Sequence, residues 1–270
     1  MRDTHTRAVE DHYDRTAERW RSIYDSDSFH DHLIRDRLDR TLHLIDALPS
    51  APAGPVRALD AGCGAGQLVA ALSRRGCATS GFDIAVNMVT ASRELLAAQQ
   101  LRAEVGQADG ERLPFPDATF DLVMALGYIE YFTEPAAAVA ELVRVARSGA
   151  HLIVTTPNPV RAAYLLDPVG AVRGYLRPEQ GYRRRYYRRA GLRRLLRAAG
   201  LHVVHLEGHG LGPFTVGGRR LLSDPSSIAL DRRLTGALPA AVANRVGANL
   251  IAVARKGSAP SGLSVQGTGH

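Results

Sequence analysis

A glycine-rich turn between an apolar run and an amphipathic segment most constrains what this chain can fold into. The apolar run 56–61 contains Asp60, and the turn that follows, Gly62-Cys63-Gly64-Ala65-Gly66, has a glycine at every second position. Glycines adopt positive φ values readily and let other groups approach the main chain closely. The pattern therefore predicts a β-strand, a tight turn and the start of a helix, with a ligand site at the carboxyl end of the strand.

The same alternation of strand and helix continues along the chain. Apolar runs predict strands at 56–61, 77–84, 103–108, 120–126, 150–155, 201–207 and 248–255. Amphipathic segments predict helices at 66–75, 87–100, 134–147 and 190–199. Strands that alternate with helices favour a parallel sheet covered on both faces, and right-handed crossovers make it doubly wound. The predicted fold class is therefore α/β.

Several stretches depart from this alternation. Apolar residues at three- and four-residue spacing predict helices over 5–48, and a proline-rich segment ends them. We predict an N-terminal helical lid at 1–50 and a main domain at 51–256. The main domain carries two insertions, at 157–189 and 208–247. The Gly/Ser-rich residues 257–270 are predicted to be a disordered tail.

The composition excludes several classes of protein. The chain has 270 residues, of which 45% are hydrophobic, and a formal net charge of +7. The N-terminus has no apolar core like that of a secretory signal, and no run reaches the length of a membrane span. A cytoplasmic location is therefore expected. Lys256 is the only lysine, so the positive charge is interpreted as arginine-biased residue usage.

Arginine is concentrated in one part of the chain. Residues 161–197 hold eleven arginines and two acids. The arginines and tyrosines of 183–189 can stack on bases and contact phosphates. We favour a solvated helix face, because Leu192, Leu195, Leu196 and Ala199 form an apolar stripe beside the arginines. An acidic or phosphorylated acceptor, peripheral contact with a membrane surface, and nucleic acid remain as alternatives, with nucleic acid the least favoured.

Acidic residues near the ends of the predicted strands indicate the ligand. Asp60 lies just before the first glycine, where it suits a cationic ligand and would repel a diphosphate. Asp83 follows the second strand and can accept both hydroxyls of a ribose. Asp109 follows the third strand and can accept from an adenine amino group, while Leu126 and Gly127 lie at the mouth of the fourth. The combination predicts S-adenosylmethionine as the cofactor.

These motifs, which span 58–132, resemble those of class I S-adenosylmethionine-dependent methyltransferases. The similarity is to the small-molecule branch, which includes ubiquinone, menaquinone and magnesium-protoporphyrin methyltransferases, and it extends over about residues 10–200 and the last strand. It implies a Rossmann-like seven-stranded sheet in the order 3-2-1-4-5-7-6, with strand 7 antiparallel. It also implies that one of Arg35, Arg37 and Arg40 meets the cofactor carboxylate. The predicted cofactor-binding residues are Tyr13, Asp60, Gly62, Gly64, Gly66, Asp83, Ile84, Asp109, Gly110 and Leu126.

The predicted reaction places modest demands on catalytic side chains. The cofactor is already activated, so an enzyme of this class supplies mainly alignment and desolvation, with a base where the nucleophile is a hydroxyl. Many relatives have a histidine directly after the glutamate of the fourth motif, where this chain has Glu130-Tyr131. That difference removes an obvious base and one ligand of the metal site of some relatives, so no metal is expected. Tyr131, Glu130 and His209 are the candidate bases.

The expected acceptor is a small molecule. The tyrosines and apolar residues of both insertions follow strand ends, where they can wall a pocket for an aromatic or lipid-tailed compound. We expect O-methylation in natural-product or quinone-like biosynthesis. N- or C-methylation of a small molecule is an alternative, and so is methylation of RNA bound by residues 183–197. No oligomeric state is predicted.

Overall fold

The computed structural model describes residues 3–49, 54–176, 182–217 and 219–257. The helices are α1 (Thr4–Ser22), α2 (Phe29–Asp46), α3 (Gln67–Arg74), α4 (Val86–Ala98), α5 (Pro135–Val145), α6 (Ala162–Leu166), α7 (Pro168–Leu176), α8 (Arg189–Ala198), α9 (Asp224–Ala237) and α10 (Ala240–Val246). The strands are β1 (Arg57–Ala61), β2 (Ala78–Asp83), β3 (Glu104–Gln107), β4 (Phe120–Leu126), β5 (Ala146–Pro157), β6 (Leu201–His209), β7 (Thr215–Val216), β8 (Arg219–Arg220) and β9 (Asn249–Lys256).

Seven of the strands form one sheet, in the order β3-β2-β1-β4-β5-β9-β6. The pairs from β3 to β5 are parallel, while β9 runs antiparallel to both β5 and β6. Since β9 is the seventh strand of this sheet in chain order, the predicted order 3-2-1-4-5-7-6 with an antiparallel strand 7 is confirmed. The short pair β7–β8 forms a separate hairpin that the sequence pattern did not predict.

Helices cover both faces of the sheet, which explains why its central strands are almost wholly apolar. In β4, Val123 and Ala125 belong to a cluster that includes residues of α5 and α8. Leu122 and Met124, which alternate with them, join a cluster on the other face with residues of α2 and α3. Each strand residue thus meets one helical layer or the other, as the two-residue period of a strand requires.

The N-terminal region is two helices rather than one. A turn of 3-10 helix at Ile23–Asp25 separates α1 from α2. The Ser28 side chain then accepts a hydrogen bond from the backbone N–H of Asp31, at 3.1 Å, and caps the start of α2. This break lets α2 pack on the sheet while α1 takes a different course along α4.

Both predicted insertions lie at the edge of the sheet where β1 ends. The segment after β5 forms α6 and α7, and the segment after β6 forms β7, β8, α9 and α10. The Asp167 carboxylate joins the two segments, since it accepts from the Thr215 hydroxyl at 2.8 Å and from the Gly217 N–H at 2.9 Å. The domain boundaries remain predictions, and the predicted tail beyond residue 257 lies outside the described residues.

Within the described ranges, no helix is long and apolar enough to cross a membrane. The cytoplasmic location remains a prediction.

Candidate functional site

A cavity of about 800 Å³ lies at the carboxyl edge of the sheet. Asp60, Asp83 and Leu126, at or near the ends of β1, β2 and β4, line one side of it. Residues of α1 and α2 line it as well, including Tyr13 and Arg37. The parallel strands therefore bring their ends together beneath the two N-terminal helices, as the strand–turn–helix pattern predicts for a ligand site.

Two glycines of the glycine-rich turn have different structural roles. Gly64 has φ +50° and lines the cavity, and a Cβ added there would meet nothing within 4 Å. Gly66 has φ +84° and precedes α3, and a Cβ there would collide with the Ser92 side chain of α4. Gly64 thus leaves open space beside the main chain, while Gly66 allows α3 and α4 to pack closely.

The Asp83 carboxylate ties the turn to the next helix. One oxygen accepts from the Gly64 N–H at 2.9 Å, and the other accepts from the Ala85 N–H at 3.0 Å, at the start of α4. Burial raises the pKa of Asp83 to about 6, although its backbone hydrogen bonds oppose the shift. The carboxylate is thus fixed in the cavity wall at the end of β2.

Asp60 lies beside Asp83 in the same wall, and its side chain is buried. Burial, followed by the negative charge of Asp83, raises the pKa of Asp60 to about 7, while the positive charge of Arg37 lowers it. Two buried carboxyl groups in one wall favour a ligand that brings positive charge. The sulfonium and ammonium groups of S-adenosylmethionine meet that requirement.

Three arginines of α2 were candidates for the cofactor carboxylate, and only Arg37 lines the cavity. Its Nη1 lies 2.5 Å from where a Cβ on Gly127 would be, so it reaches the mouth of β4. Arg35 instead donates to the carbonyls of Ile23, at 2.8 Å, and Ser26. Arg40 forms an ion pair with Glu207 at 3.0 Å.

The structure brings most of the predicted cofactor residues to the cavity. The members that line it are Tyr13, Asp60, Gly62, Gly64, Asp83, Ile84, Gly110 and Leu126. Gly66 and Asp109 lie outside the lining. Asp109 accepts from the Glu111 N–H at 3.1 Å and shapes the loop that presents Gly110. The individual contacts with the cofactor remain predictions.

A group of aromatic residues closes the cavity between α1 and the loop after β4. The hydroxyls of Tyr13 and Tyr131 are hydrogen-bonded, and their rings meet edge to face at 5.4 Å. The Tyr131 carbonyl lies 2.8 Å from Nε2 of His5, and the Tyr182 ring lies 5.8 Å from the Tyr131 ring. Burial raises the pKa of both Tyr13 and Tyr131, so both remain protonated at neutral pH. As a protonated phenol Tyr131 can donate a hydrogen bond, and its catalytic role remains a prediction.

The other two candidate bases lie behind the cavity wall. Glu130 is 1% exposed, and its Oε1 is 4.0 Å from Arg184. His209 is buried, and its Nδ1 lies 2.9 Å from the Asp36 carboxylate of α2. Neither belongs to the lining. Their catalytic roles remain predictions, and in the structure they contact an arginine and the second helix.

His30 lines the cavity from α2, although no sequence motif pointed to it. Desolvation, followed by the positive charge of Arg19, lowers the pKa of His30, so the imidazole is neutral at pH 7. A spacing of seven residues, about two helical turns, puts His30 on the same face as Arg37. The shared helix face could have indicated His30 as a cavity residue. It does so only once α2 is known to face the ligand.

The arginines of the arginine-rich stretch make contacts of several different kinds. Arg184 lines the cavity, with its guanidinium carbon 5.2 Å from the centre of the Tyr131 ring. Arg185 donates to the Phe132 carbonyl at 3.1 Å, and Arg189 donates to the Asn244 carbonyl at 2.8 Å. In α8 the apolar stripe packs on the sheet, through Leu192, Leu195, Leu196 and Ala199.

Comparison with known proteins agrees with this geometry. The family described as "Methyltransferase domain" matches residues 59–154. The ubiquinone biosynthesis O-methyltransferase of Xylella fastidiosa strain 9a5c is 32% identical over 182 residues, which cover 66% of this chain and 72% of that protein.

Two solved structures share the fold. The magnesium protoporphyrin IX methyltransferase ChlM of Synechocystis PCC 6803, solved with bound S-adenosylhomocysteine, has a TM-score of 0.64 at 20% identity and covers 93% of this chain and 99% of that one. The cyclase SpnF has a TM-score of 0.61 at 21% identity, with 93% and 96% covered.

Because the two solved structures are only about 20% identical to this chain, they show the fold alone. The ubiquinone biosynthesis O-methyltransferase, at 32% identity, shows the family. The chain belongs to the class I S-adenosylmethionine-dependent methyltransferases and is an enzyme that uses S-adenosylmethionine as its cofactor.

Proposed function

We propose that this enzyme methylates a hydroxyl group of a small, aromatic, quinone-like acceptor. The observation that carries the proposal is that one cavity of about 800 Å³ includes both the acidic cofactor wall and an aromatic wall built from α1, the loop after β4 and the insertion after β5. A volume of this order suits small molecules. The name of the relative, a ubiquinone biosynthesis O-methyltransferase, supports a hydroxyl group on a quinone-like ring.

Residues of the acidic wall would hold the cofactor, which supplies an activated methyl group when bound. In this proposal Asp60, Gly62 and Gly64 lie beside its methionine part, and Arg37 meets its carboxylate. Asp83 accepts the ribose hydroxyls, as an acid at the end of a second strand does in related folds. Gly110 lies near the adenine, and its lack of a side chain lets Tyr128 and Phe132 pack against this loop.

The remaining wall would orient the acceptor and exclude water. Tyr131 donates a hydrogen bond toward the acceptor, and Glu130 holds Arg184 behind it. His30 is the residue that we assign as the base, because it faces the cavity as a neutral imidazole. A positioned base of this kind contributes about 10²–10⁴-fold to the rate when the nucleophile must lose a proton.

An acceptor from natural-product biosynthesis is part of the same proposal. The insertion after β5 contributes Tyr164, and the insertion after β6 contributes Thr215 and Arg220 to the lining. These segments lie at the strand edge that faces the acceptor, so their side chains determine which ring system fits.

The test is methyl transfer with purified protein, S-adenosylmethionine and a panel of catechols, hydroquinones, phenols and arylamines, with products identified by mass spectrometry. We expect O-methylated phenols. Transfer to the amines in preference to the phenols would favour N-methylation instead. Bound cofactor with no transfer to any phenol would contradict the proposal.

A further inference from the structure

One arginine of the cavity has neither a paired acid nor a role in the proposed cofactor wall. Arg161 follows β5 and lines the cavity, with its guanidinium carbon 3.8 Å from the centre of the Tyr164 ring. It also donates to the Tyr164 hydroxyl. Its Nε is buried and, among the described residues, has no hydrogen-bond partner. No carboxylate in the described part of the chain lies within 4.0 Å of this guanidinium.

Three other arginines of the same cavity already have acids, and a fourth, Arg37, is the one that the proposed function assigns to the cofactor carboxylate. Arg19 pairs with Asp31 at 3.2 Å, and Arg220 pairs with Asp224 at 2.5 Å. Arg184 lies 4.0 Å from Glu130. Asp167, the acid nearest to Arg161 in the sequence, also lines the cavity, but its carboxylate accepts from residues 170, 215 and 217 and joins the two insertions.

The physical chemistry of this arrangement favours an anion. The Nε–H of Arg161 has lost water without gaining an acceptor, which is unfavourable, and stacking of the guanidinium on a tyrosine ring offsets only part of that loss. The planar guanidinium matches the two oxygens of a carboxylate. Tyr186 also lines the cavity, and burial followed by the neighbouring Tyr164 raises its pKa, while the positive charges of Arg184 and Arg161 oppose the shift.

We propose that the acceptor carries a carboxylate and that Arg161 binds it, with Tyr164 and Tyr186 beside the acceptor ring. This inference rests on the proposed function for the nature of the acceptor. It adds that the substrate class is an aromatic or polyketide-like hydroxy acid, and that the insertion after β5 selects it by charge.

The experiment compares two probes that differ only in charge, 3,4-dihydroxyphenylacetate and its primary amide. Calorimetry measures the binding of each probe to the protein already saturated with S-adenosylhomocysteine. We expect the acid to bind about tenfold or more tightly than the amide. Arg161→Gln should abolish that preference by weakening the acid alone, and Arg161→Lys should retain part of it. Arg194→Gln, which removes an exposed arginine of α8, is the matched control and should bind both probes as the wild type does.

Three outcomes would overturn the inference: equal binding of the two probes to the wild type, no binding of the acid, or equal loss of both probes in Arg161→Gln. Unchanged affinity for S-adenosylhomocysteine and an unchanged melting temperature show that the variant is folded. Methyl transfer is measured separately on both probes. If the acid binds through Arg161 but is not methylated, the carboxylate site stands and the proposed hydroxyl transfer fails on this ring. If both probes are methylated equally well, the proposed carboxylate site is wrong, while the proposed hydroxyl transfer stands.

Discussion

Two buried carboxyl groups, at Asp60 and Asp83, give the cofactor wall its chemistry. Their pKa values are raised to about 7 and about 6, so in the free protein each is partly protonated near neutral pH. A cationic ligand favours the ionised form of both and lowers these pKa values on binding. Binding must then release protons, and the affinity must depend on pH over this interval.

We therefore expect the affinity for S-adenosylmethionine to rise by about tenfold or more between pH 5 and pH 7.5 and to level off above that range. Calorimetry in two buffers with different ionisation enthalpies should show the proton release directly. S-adenosylhomocysteine, which lacks the sulfonium charge, is the control and should depend less steeply on pH. An affinity for S-adenosylmethionine that is constant over this range would show that these carboxyl groups do not meet the cation.

Removing one of these carboxyl groups tests its predicted role. Asp83→Ala should weaken cofactor binding by about tenfold or more, because the ribose hydroxyls lose their acceptor and the Gly64 N–H loses a hydrogen bond. Calorimetry measures the affinity, and thermal unfolding shows whether the variant is folded. Asp117→Ala, at an exposed aspartate distant in sequence from the glycine turn, is the control. Unchanged affinity in folded Asp83→Ala would make the ribose assignment wrong.

The assignment of His30 as the base leads to a prediction for the rate. His30→Gln should lower kcat by about 10²-fold at neutral pH, with little change in cofactor affinity. In the wild type, kcat should fall as pH drops below the pKa of His30, which lies below that of an ordinary histidine because of desolvation. The variant should lack that decline. If Tyr131→Phe lost as much rate and His30→Gln lost none, Tyr131 would be the better candidate.

At the scale of elements, α1 is a wall of the cavity that is held with few buried residues. Only Val9 and Ala17 of this helix are buried. It is held by polar contacts with α4, such as the hydrogen bond from the Asn87 N–H to Asp14 at 2.8 Å, and by the Tyr13–Tyr131 pair. Since α1 walls the cavity, we expect it to move when a ligand enters or leaves.

Hydrogen exchange measures that movement. The amides of α1 should exchange about tenfold or more slowly when S-adenosylhomocysteine is bound, because the ligand adds contacts that the free helix lacks. The amides of α8, whose apolar stripe packs on the far part of the sheet, should be unaffected and serve as the internal control. Equal exchange of α1 with and without ligand would contradict the role of this helix as a lid.

At the scale of the whole molecule, we do not expect the net charge of +7 to form a surface that binds nucleic acid. Arg185 and Arg189 donate to backbone carbonyls, and Arg184 faces the cavity, so the basic stretch offers phosphate fewer groups than its sequence suggests. We expect no binding of transfer or ribosomal RNA fragments in a filter assay at about 150 mM salt. Measurable affinity that falls steeply with added salt would revive the RNA alternative.

The strands of the main sheet could be predicted because their causes are local, whereas their order was implied by the resemblance to class I methyltransferases. In β4 the neighbouring residues Leu122 and Val123 face different helical layers. A two-residue period of this kind is visible in a short stretch of sequence. The glycine turn and Asp83 were predictable for the same reason, since each sits at the end of its own strand. The hairpin β7–β8 has strands of two residues each, which are too short to give a period.

The sequence by itself determined the fold class and the positions of the glycine turn and the acids of the predicted cofactor wall, and the resemblance to a known family implied the strand order. The tertiary structure decided which arginine of α2 faces the cavity, that Glu130 and His209 lie behind its wall, and that His30 and Arg161 face into it. The reason is distance along the chain. The rotation of α2 and the packing of the insertions depend on contacts such as Tyr13 with Tyr131 and Asp36 with His209, between residues more than a hundred positions apart. The local periodicity of the sequence cannot indicate such contacts.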